Sequence, residues 1–313
     1  MIYRTLGRTD LVVPVMGMGT GGHNQLGQNA DVPEADIHRL LHEVFDLGIH
    51  YFDTSPGYGE SELILGRALR HLPRDRLVVS TKVALADDEG APFSGSEVVA
   101  SVEASLRRLQ FDFIDLLLVT TRHPQALEAA VGEHLPALGK LLEQGKIRFI
   151  GSSEVTRSDD DHEWLRAFLP TGLADAAMVG HNMLNQSAEG WVLPYCIEQE
   201  IGTINVFTVR NVFSDRNRLG QVVAELRADG LLAEGLPGHP FDHLLADGGI
   251  QSLPEAAYRY AAFTEGITTV MCGSIRLEHI QRNIASLEKG PLPTDKIAWL
   301  RRSFGHIARA IGN

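Results

Sequence analysis

The stretch Ile114-Asp115-Leu116-Leu117-Leu118-Val119, a helical pattern over roughly 125–144, and Ile147-Arg148-Phe149-Ile150-Gly151 decide the fold. An apolar, β-rich run is followed by a helix and then by a second such run, the order of a strand–helix–strand unit with parallel strands. Working outward, the same alternation fills the chain. Further runs at 12–16, 50–52, 77–82, 176–180, 203–207 and 268–271 alternate with helical segments at roughly 33–47, 60–71, 96–109, 159–168, 188–200, 254–265 and 276–288. Gly48 follows the first helix as a stop signal, and Ser96 after Gly95 marks a helix start. Eight strand–helix pairs close naturally into an (α/β)8 TIM barrel; an open doubly wound sheet is the alternative. A β-hairpin within 1–13, with the turn Gly7-Arg8-Thr9-Asp10, precedes the barrel. An extended loop after the seventh strand runs over 208–253, with a helix near 221–228 and a turn-rich piece at 235–240, and a last helix is expected over 295–311. The whole chain, 1–313, reads as a single barrel domain.

Composition narrows the function. The 313 residues carry 28 Lys+Arg against 40 Asp+Glu, a formal net charge of -12. That balance argues against nucleic acid and anionic membrane as partners, because both need clustered cations. No run approaches the roughly 18 apolar residues of a membrane span, and the start lacks the apolar core of a signal peptide. Cys196 and Cys272 are the only cysteines, too few for a disulfide framework or a zinc site, and they fit the reducing cytoplasm. A soluble enzyme of the cytoplasm is the expectation, with no metal.

Two motifs stand at strand ends. Gly17-Met18-Gly19-Thr20-Gly21-Gly22 has dinucleotide-fingerprint spacing, but no helix opens directly after it, so it reads as a glycine-rich first loop that lets a ligand approach the backbone. Tyr51-Phe52-Asp53-Thr54-Ser55-Pro56-Gly57-Tyr58-Gly59-Glu60-Ser61-Glu62 is a strand ending in an acid, a loop carrying a tyrosine, and a helix start. The next strand ends in Lys82, costly at an apolar strand end unless paired, and Asp53 is the natural partner. A Lys/Asp pair beside a phenol lets it pass a proton; a buried ion pair with a packing tyrosine is the structural alternative.

These residues carry a resemblance. The chain is similar to the aldo-keto reductase superfamily over nearly its full length. The matching pieces run in order: Tyr3-Arg4, Leu6-Gly7-Arg8-Thr9, Gly17, Gly19-Thr20, Phe52-Asp53-Thr54, Tyr58-Gly59, Ser61-Glu62, Leu65-Gly66-Arg67, Ser80-Thr81-Lys82, Asp112, Ile114-Asp115-Leu116, Gly145-Lys146-Ile147-Arg148, Gly151, Ser153, Gly266-Ile267-Thr268, Gly273-Ser274 and Arg276. The resemblance implies a barrel binding NADP(H) at its mouth, with Asp53, Tyr58 and Lys82 in catalytic positions and Tyr58 as proton donor in reduction and base in oxidation. It implies a small carbonyl or alcohol substrate and leaves room for a homo-oligomer. Gly19, Thr20, Asp53, Ser153, Phe207, Gly273, Ser274, Arg276, Gln281 and Asn283 fall at cofactor positions.

The chain departs from the family pattern at four places. The usual catalytic histidine is Thr120, which keeps one hydrogen bond but lacks imidazole reach. His123 lies three residues further on and is the residue that would loop back. Ser153 is followed by Glu154 where the family has asparagine, Met178 stands for its glutamine, and the usual Ser-Pro-Leu after Phe207 is Thr208-Val209-Arg210. Losing two amide side chains weakens recognition of the nicotinamide carboxamide by about 1 kcal/mol for each hydrogen bond, and a glutamate facing that site would select differently. Asn182 and Asn185 keep the later asparagines. His23, His123 and Arg210 are candidate substrate contacts. Three rival functions remain on this reading: a regulatory cofactor-binding homologue, a reductase of conjugated C=C bonds, and a lyase or isomerase using the same Tyr/Lys/Asp set. His38 and His42 read as a surface pair on the first helix, Ser158-Asp159-Asp160-Asp161 as an acidic helix start favoured by the dipole, and the cysteines as apolar filler.

Overall fold

The computed structural model describes residues 1–155, 159, 161–233 and 235–309. Two antiparallel strands open the chain, β1 (Tyr3–Thr5) and β2 (Val12–Pro14), paired Tyr3 to Pro14. Eight parallel strands then close a barrel: β3 (Met16–Gly19), β4 (Tyr51–Asp53), β5 (Val78–Ala84), β6 (Ile114–Thr120), β7 (Ile147–Ser153), β8 (Ala176–Gly180), β9 (Gly202–Val206) and β10 (Thr269–Cys272). β10 pairs with both β9 and β3, so no edge strand remains in the ring. Closure in chain order is what strand–helix repeats produce when every crossover is right-handed.

Inside the ring, Tyr51, Val78, Leu116, Leu118, Ala176, Met178 and Ile204 share one apolar cluster with Leu6, Leu11 and Val13 from the hairpin. The hairpin is therefore a plug at the N-terminal end of the barrel. Leu6 packs against Gly202 at the start of β9, and Arg8 N donates to Glu200 O over 2.7 Å. Two motif residues, Asp115 and Arg148, brace the same end. The wholly buried carboxylate of Asp115 accepts from Arg74 at 2.7 Å and Arg148 at 2.9 Å, and Arg148 also reaches Asp10 at 2.9 Å. These motif positions hold architecture rather than chemistry. Between the ring and the outer helices lies the larger core, with Trp164, Phe52 and Phe168 among its bulkiest members.

Three expectations are corrected. The run at 12–16 is not one strand: it breaks after Pro14, which has no N–H to offer a ladder, and the first barrel strand is Met16–Gly19. Gly17 and Gly19 thus lie within a strand rather than in the expected glycine-rich first loop. Gly17 leaves room inside the ring: a Cβ there would sit 2.8 Å from Met271 Cε, 3.0 Å from Tyr51 Cδ1 and 3.2 Å from Tyr51 O. The third main helix is capped not by Ser96 but by Ser94, which forms a reciprocal capping box with Glu97 ahead of Gly95–Leu109. Within the 208–253 segment the expected helix near 221–228 is present as Arg216–Ala228, but the segment carries more helix than expected. It folds into helices Arg210–Ser214, Arg216–Ala228 and Asp242–Leu245 around a core of its own. Asp215 starts the longest of them by accepting from Asn217 N at 2.8 Å and Arg218 N at 3.3 Å. Phe241 stacks on Phe304 of the last helix, Thr294–Phe304, at 4.8 Å; that helix is shorter than the expected 295–311, because 305–309 are turn and coil, and positions 310 and 311 lie outside the described residues.

Among the described residues no helix is long and apolar enough to cross a membrane. His38 pairs with Glu34 at 3.1 Å and His42 Nε2 meets Ala68 O at 2.8 Å, so each has a structural use. Of the acidic helix start, Ser158 and Asp160 lie outside the described residues. Asp159 caps Glu163–Phe168, accepting from Glu163 N at 2.6 Å. Cys196 is buried, and burial pushes its thiol up to about 12, which suits filler and not a nucleophile.

Candidate active site

Asp53 closes β4 opposite Ser80 of β5, and Lys82 lies two residues beyond Ser80, on the same face and nearer the mouth. The Lys82 ammonium donates to Asp53 Oδ2 at 2.7 Å, Asp53 Oδ1 at 2.9 Å and Thr54 O at 2.9 Å. Ser80 Oγ donates to Asp53 Oδ1 at 2.8 Å, and Tyr51 OH meets Ser80 Oγ at 3.0 Å. Burial alone would lower the Lys82 pKa, but the charge of Asp53 and then Tyr58 outweigh it, so the value is raised and the lysine stays cationic. Burial, then the Asp53 charge, raises the Tyr51 phenol well above its ordinary value, which keeps it neutral beneath the pair. Ser80 and Tyr51 were not singled out from the sequence; their signal was alternation, since both lie on the inward face that carries Asp53 and Lys82.

Tyr58 stands above this pair. Its ring centroid is 5.0 Å from Lys82 Nζ, and its loop turns tightly through Tyr58 N to Ser55 O and Ser61 N to Tyr58 O, each 3.1 Å. Gly21 of the first loop lets the ring lie there: a Cβ on Gly21 would be 2.6 Å from the ring carbons Cε2 and Cζ. A cation buried at 8% exposure, neutralised by an acid at 4% and set under a half-exposed phenol is a proton-handling site. Thr120 ends β6, paired with Ala84 on one side and Ser153 on the other, at the same level of the mouth.

The opposite side of the mouth is built from the ends of β7 to β10. Ser153 is buried, with Oγ donating to Glu154 O at 3.2 Å, and Met178 belongs to the apolar barrel filling. Phe207 is held at φ +67, and the Arg210 guanidinium lies 3.5 Å from its ring centroid. Past β10, Gly273 is exposed, Ser274 Oγ accepts from Arg276 N at 3.2 Å, and the helix Leu277–Glu288 begins. Arg276 and Gln281 are exposed there, while Asn283 Nδ2 points at Cys272 Sγ, 3.6 Å away.

The model of the Aldo/keto reductase family matches residues 15–303. The chain belongs to the aldo/keto reductase family. It is 31% identical to L-galactose dehydrogenase of Arabidopsis thaliana over 304 residues, covering 91% of this chain and 87% of that protein. It is 32% identical to the NADH-specific methylglyoxal reductase of Escherichia coli over 214 residues, 63% of this chain and 64% of that one. Among solved structures, the holo form of an aldo-keto reductase from Bacillus halodurans superposes with a TM-score of 0.71 at 25% identity, covering 100% of this chain and 98% of the other. This aldo/keto reductase is thus an oxidoreductase by family, built on the (α/β)8 barrel expected from its strand–helix alternation.

Three site expectations change once the side chains are placed. Glu154 does not offer its carboxylate to a ligand. It is 5% exposed, Gly180 N donates to Oε1 at 2.7 Å, and Oε2 lies 2.6 Å from His162 Nδ1. The residue after the strand turns toward the helix layer, where a buried charge finds a partner. His162 Nε2 lies 2.8 Å from Ser187 Oγ, which donates to Asn185 Oδ1 at 2.7 Å. Asn182 and Asn185 also serve the backbone: Asn182 Oδ1 accepts from Leu184 N and Asn185 N, both at 2.9 Å. Lastly, His123 does not loop back toward the tyrosine. Its ring packs on Gly90 of the loop after β5, and its Nε2 meets Asp88 O at 3.2 Å. His23 is exposed on the first loop, its carbonyl accepting from Asn29.

Proposed function

We propose that this enzyme interconverts a small carbonyl compound and its alcohol with a nicotinamide cofactor, using Tyr58 as the proton-transfer group. The observation that carries the reading is the buried Lys82–Asp53 pair, 2.7 Å apart, beneath the Tyr58 ring. The mouth fits a dinucleotide. The hydroxyls of Thr20 and Thr54, at the ends of β3 and β4, are buried with no partner among the described residues. A Cβ on Gly273 would fill the space it shares with the carbonyls of Gly19 and Gly21, 3.8 and 3.7 Å away. Gly273, Ser274, Arg276, Gln281 and Asn283 would hold the adenosine and phosphate end, and Ser153, Phe207 and the β8 end would border the nicotinamide. The cofactor, when bound, supplies or accepts the hydride.

The protein's own part is proton transfer. In reduction the Tyr58 hydroxyl donates to the oxygen that gains negative charge, and Lys82 stabilises the phenolate left behind. In oxidation the same oxygen accepts the alcohol proton. Asp53 keeps Lys82 in place, and Ser80 keeps Asp53 in place. Both directions occur among the relatives' names, one a dehydrogenase and one a reductase. A cytoplasmic location, the single-domain organisation and NADP(H) over NAD(H) complete the reading. Preserving the whole Tyr/Lys/Asp set favours catalysis over a regulatory cofactor-binding role.

Cofactor preference rests on Arg276, whose exposed guanidinium sits at the start of a helix, where a 2′-phosphate is doubly favoured. The E. coli relative's name carries NADH instead, so titration must decide. The parent is expected to bind NADPH more tightly than NADH, and Arg276→Ala to remove about 10-fold or more of that difference. Equal affinity of the parent for both would reject the assignment.

Substrate scope rests on Thr120. A hydroxyl is shorter and less polarising than imidazole, so a generic aldehyde is held loosely and the parent is expected to reduce such a panel slowly. Thr120→His should raise those rates. A parent that is already fast on the panel and indifferent to the change would remove Thr120 from the site.

A further inference from the structure

The first loop makes an uncommon structure beside Tyr58. Gln25, Leu26 and Gly27 are consecutive residues with φ of +40, +56 and +88. Two non-glycine residues in the left-handed region cost free energy that the surroundings must supply. They do so by packing: Leu26 is 2% exposed in the main core, and Gly27 lies where a Cβ would be 2.7 Å from Ile37 Cδ1 of the first helix. The strained turn presents one side chain, Gln28, to the tyrosine loop. Gln28 Nε2 shares its two hydrogens among Gln25 O at 2.6 Å, Tyr58 O at 3.0 Å and Ser61 Oγ at 3.0 Å, and its Oε1 accepts from Glu60 N at 2.7 Å. One amide thus binds the backbone of Tyr58, the backbone of Glu60 and the side chain of Ser61, which starts the following helix. Gly59 sits at φ +60 against this amide, where any side chain would overlap Gln28 Oε1. Gly21 of the same loop supports the face of the phenol ring.

We propose that Gln28 is a positioning residue for Tyr58, fixing the tyrosine's backbone so that its hydroxyl stays over Lys82; this rests on the role assigned to Tyr58 above. Among the described residues the other backbone hydrogen bonds of Tyr58 run to Ser55 and Ser61 within its own loop, so the Gln28 amide is what ties the Tyr58 backbone directly to the first loop. A glutamine suits the task because it both donates and accepts. The carbonyl of Tyr58, which already accepts from Ser61 N, takes a second donor from the Gln28 amide nitrogen, and the N–H of Glu60 finds its acceptor in the amide oxygen. Glutamate keeps the acceptor and loses the donor; alanine loses both.

The test compares Gln28→Ala, Gln28→Glu and Tyr58→Phe with the parent in steady-state kinetics, cofactor titration and thermal unfolding. Gln28→Ala and Gln28→Glu are each expected to lower kcat on the order of 10-fold, since misplacement by about 1 Å is enough for larger losses. Cofactor affinity should stay within about 2-fold and the melting midpoint should barely move, because Gln28 lies at the rim and outside the apolar cores. Tyr58→Phe tests the parent reading separately. If Tyr58→Phe abolishes turnover while both Gln28 variants keep full kcat, Gln28 does not position the tyrosine. If kcat, cofactor affinity and melting midpoint all fall together in both variants, Gln28 is a general support of the fold and the proposal is overturned. If Tyr58→Phe itself is fully active, the reading of the site fails and the positioning role of Gln28 falls with it.

Discussion

Tyr58→Phe is expected to lower turnover by about 10²-fold or more, the scale on which a positioned acid or base contributes, while leaving cofactor binding almost unchanged. The substitution removes one oxygen and nothing else. The ring keeps its place between Gly21 and the Lys82 ammonium, because both contacts are made by the ring itself. Lys82 keeps its three bonds to Asp53 and Thr54, so the fold should not register the change. The measurement is kcat with a small aldehyde and reduced cofactor, set beside the cofactor dissociation constant from fluorescence titration. Retention of the parent's kcat would mean that another group transfers the proton.

The second large effect lies in the helix layer. His162→Asn should destabilise the protein by about 3–5 kcal/mol, the cost of leaving one charge of a buried pair without its partner. Asparagine tolerates the left-handed backbone at that position, φ +58, but cannot reach Glu154. Unfolding in urea would measure the loss. Adding Glu154→Gln should restore much of it by removing the stranded carboxylate. A single variant within about 0.5 kcal/mol of the parent, the range of an ordinary surface change, would show that the contact stabilises nothing. The pH dependence has a definite sign. Burial works against the charged imidazole, but Glu154 outweighs it and the His162 pKa is raised above 6.5; burial likewise raises Glu154 above its usual range. The folded pair therefore keeps its shared proton to higher pH than the unfolded chain does. The contribution of His162 is complete below about pH 6.5, the ordinary histidine value, and is lost as pH rises through its raised folded value. The gap between parent and His162→Asn should narrow as the solution is made more alkaline.

How far the site could be read from the chain depended on where each side chain stood relative to a strand. Lys82 and Asp53 lie within β5 and β4, where alternation fixes the face, and an isolated lysine in an apolar run announces its need for an acid. Glu154 comes one residue past β7. There the period of two no longer holds, and its partner His162 is eight positions away across a turn that no periodicity predicts. His123 failed for the same reason: a loop histidine has no register, and its packing on Gly90 depends on a different loop. The first barrel strand was misjudged because Gly17 and Gly19 look like punctuation, although inside a narrow barrel a missing side chain is a packing solution. The 208–253 helices were partly hidden because they bury their apolar side chains on one another and on Leu253–Ala262 rather than on the sheet. Gln28 carried no signal at all, since a loop glutamine is among the least informative letters in a sequence.

That second apolar cluster divides labour within the molecule. Val212, Phe213, Leu219, Val222 and Phe241 hold the 208–253 helices to the last helix through Leu300 and Phe304, apart from the side chains that fill the barrel. A rim with a private core can loosen, exchange its amide hydrogens and close again while the strands beneath stay protected. It can also be rewritten: substitutions that reshape what the mouth admits fall on residues the barrel does not need in order to stay closed, so new substrates can be tried on this scaffold without risking the Lys82–Asp53 pair at its centre.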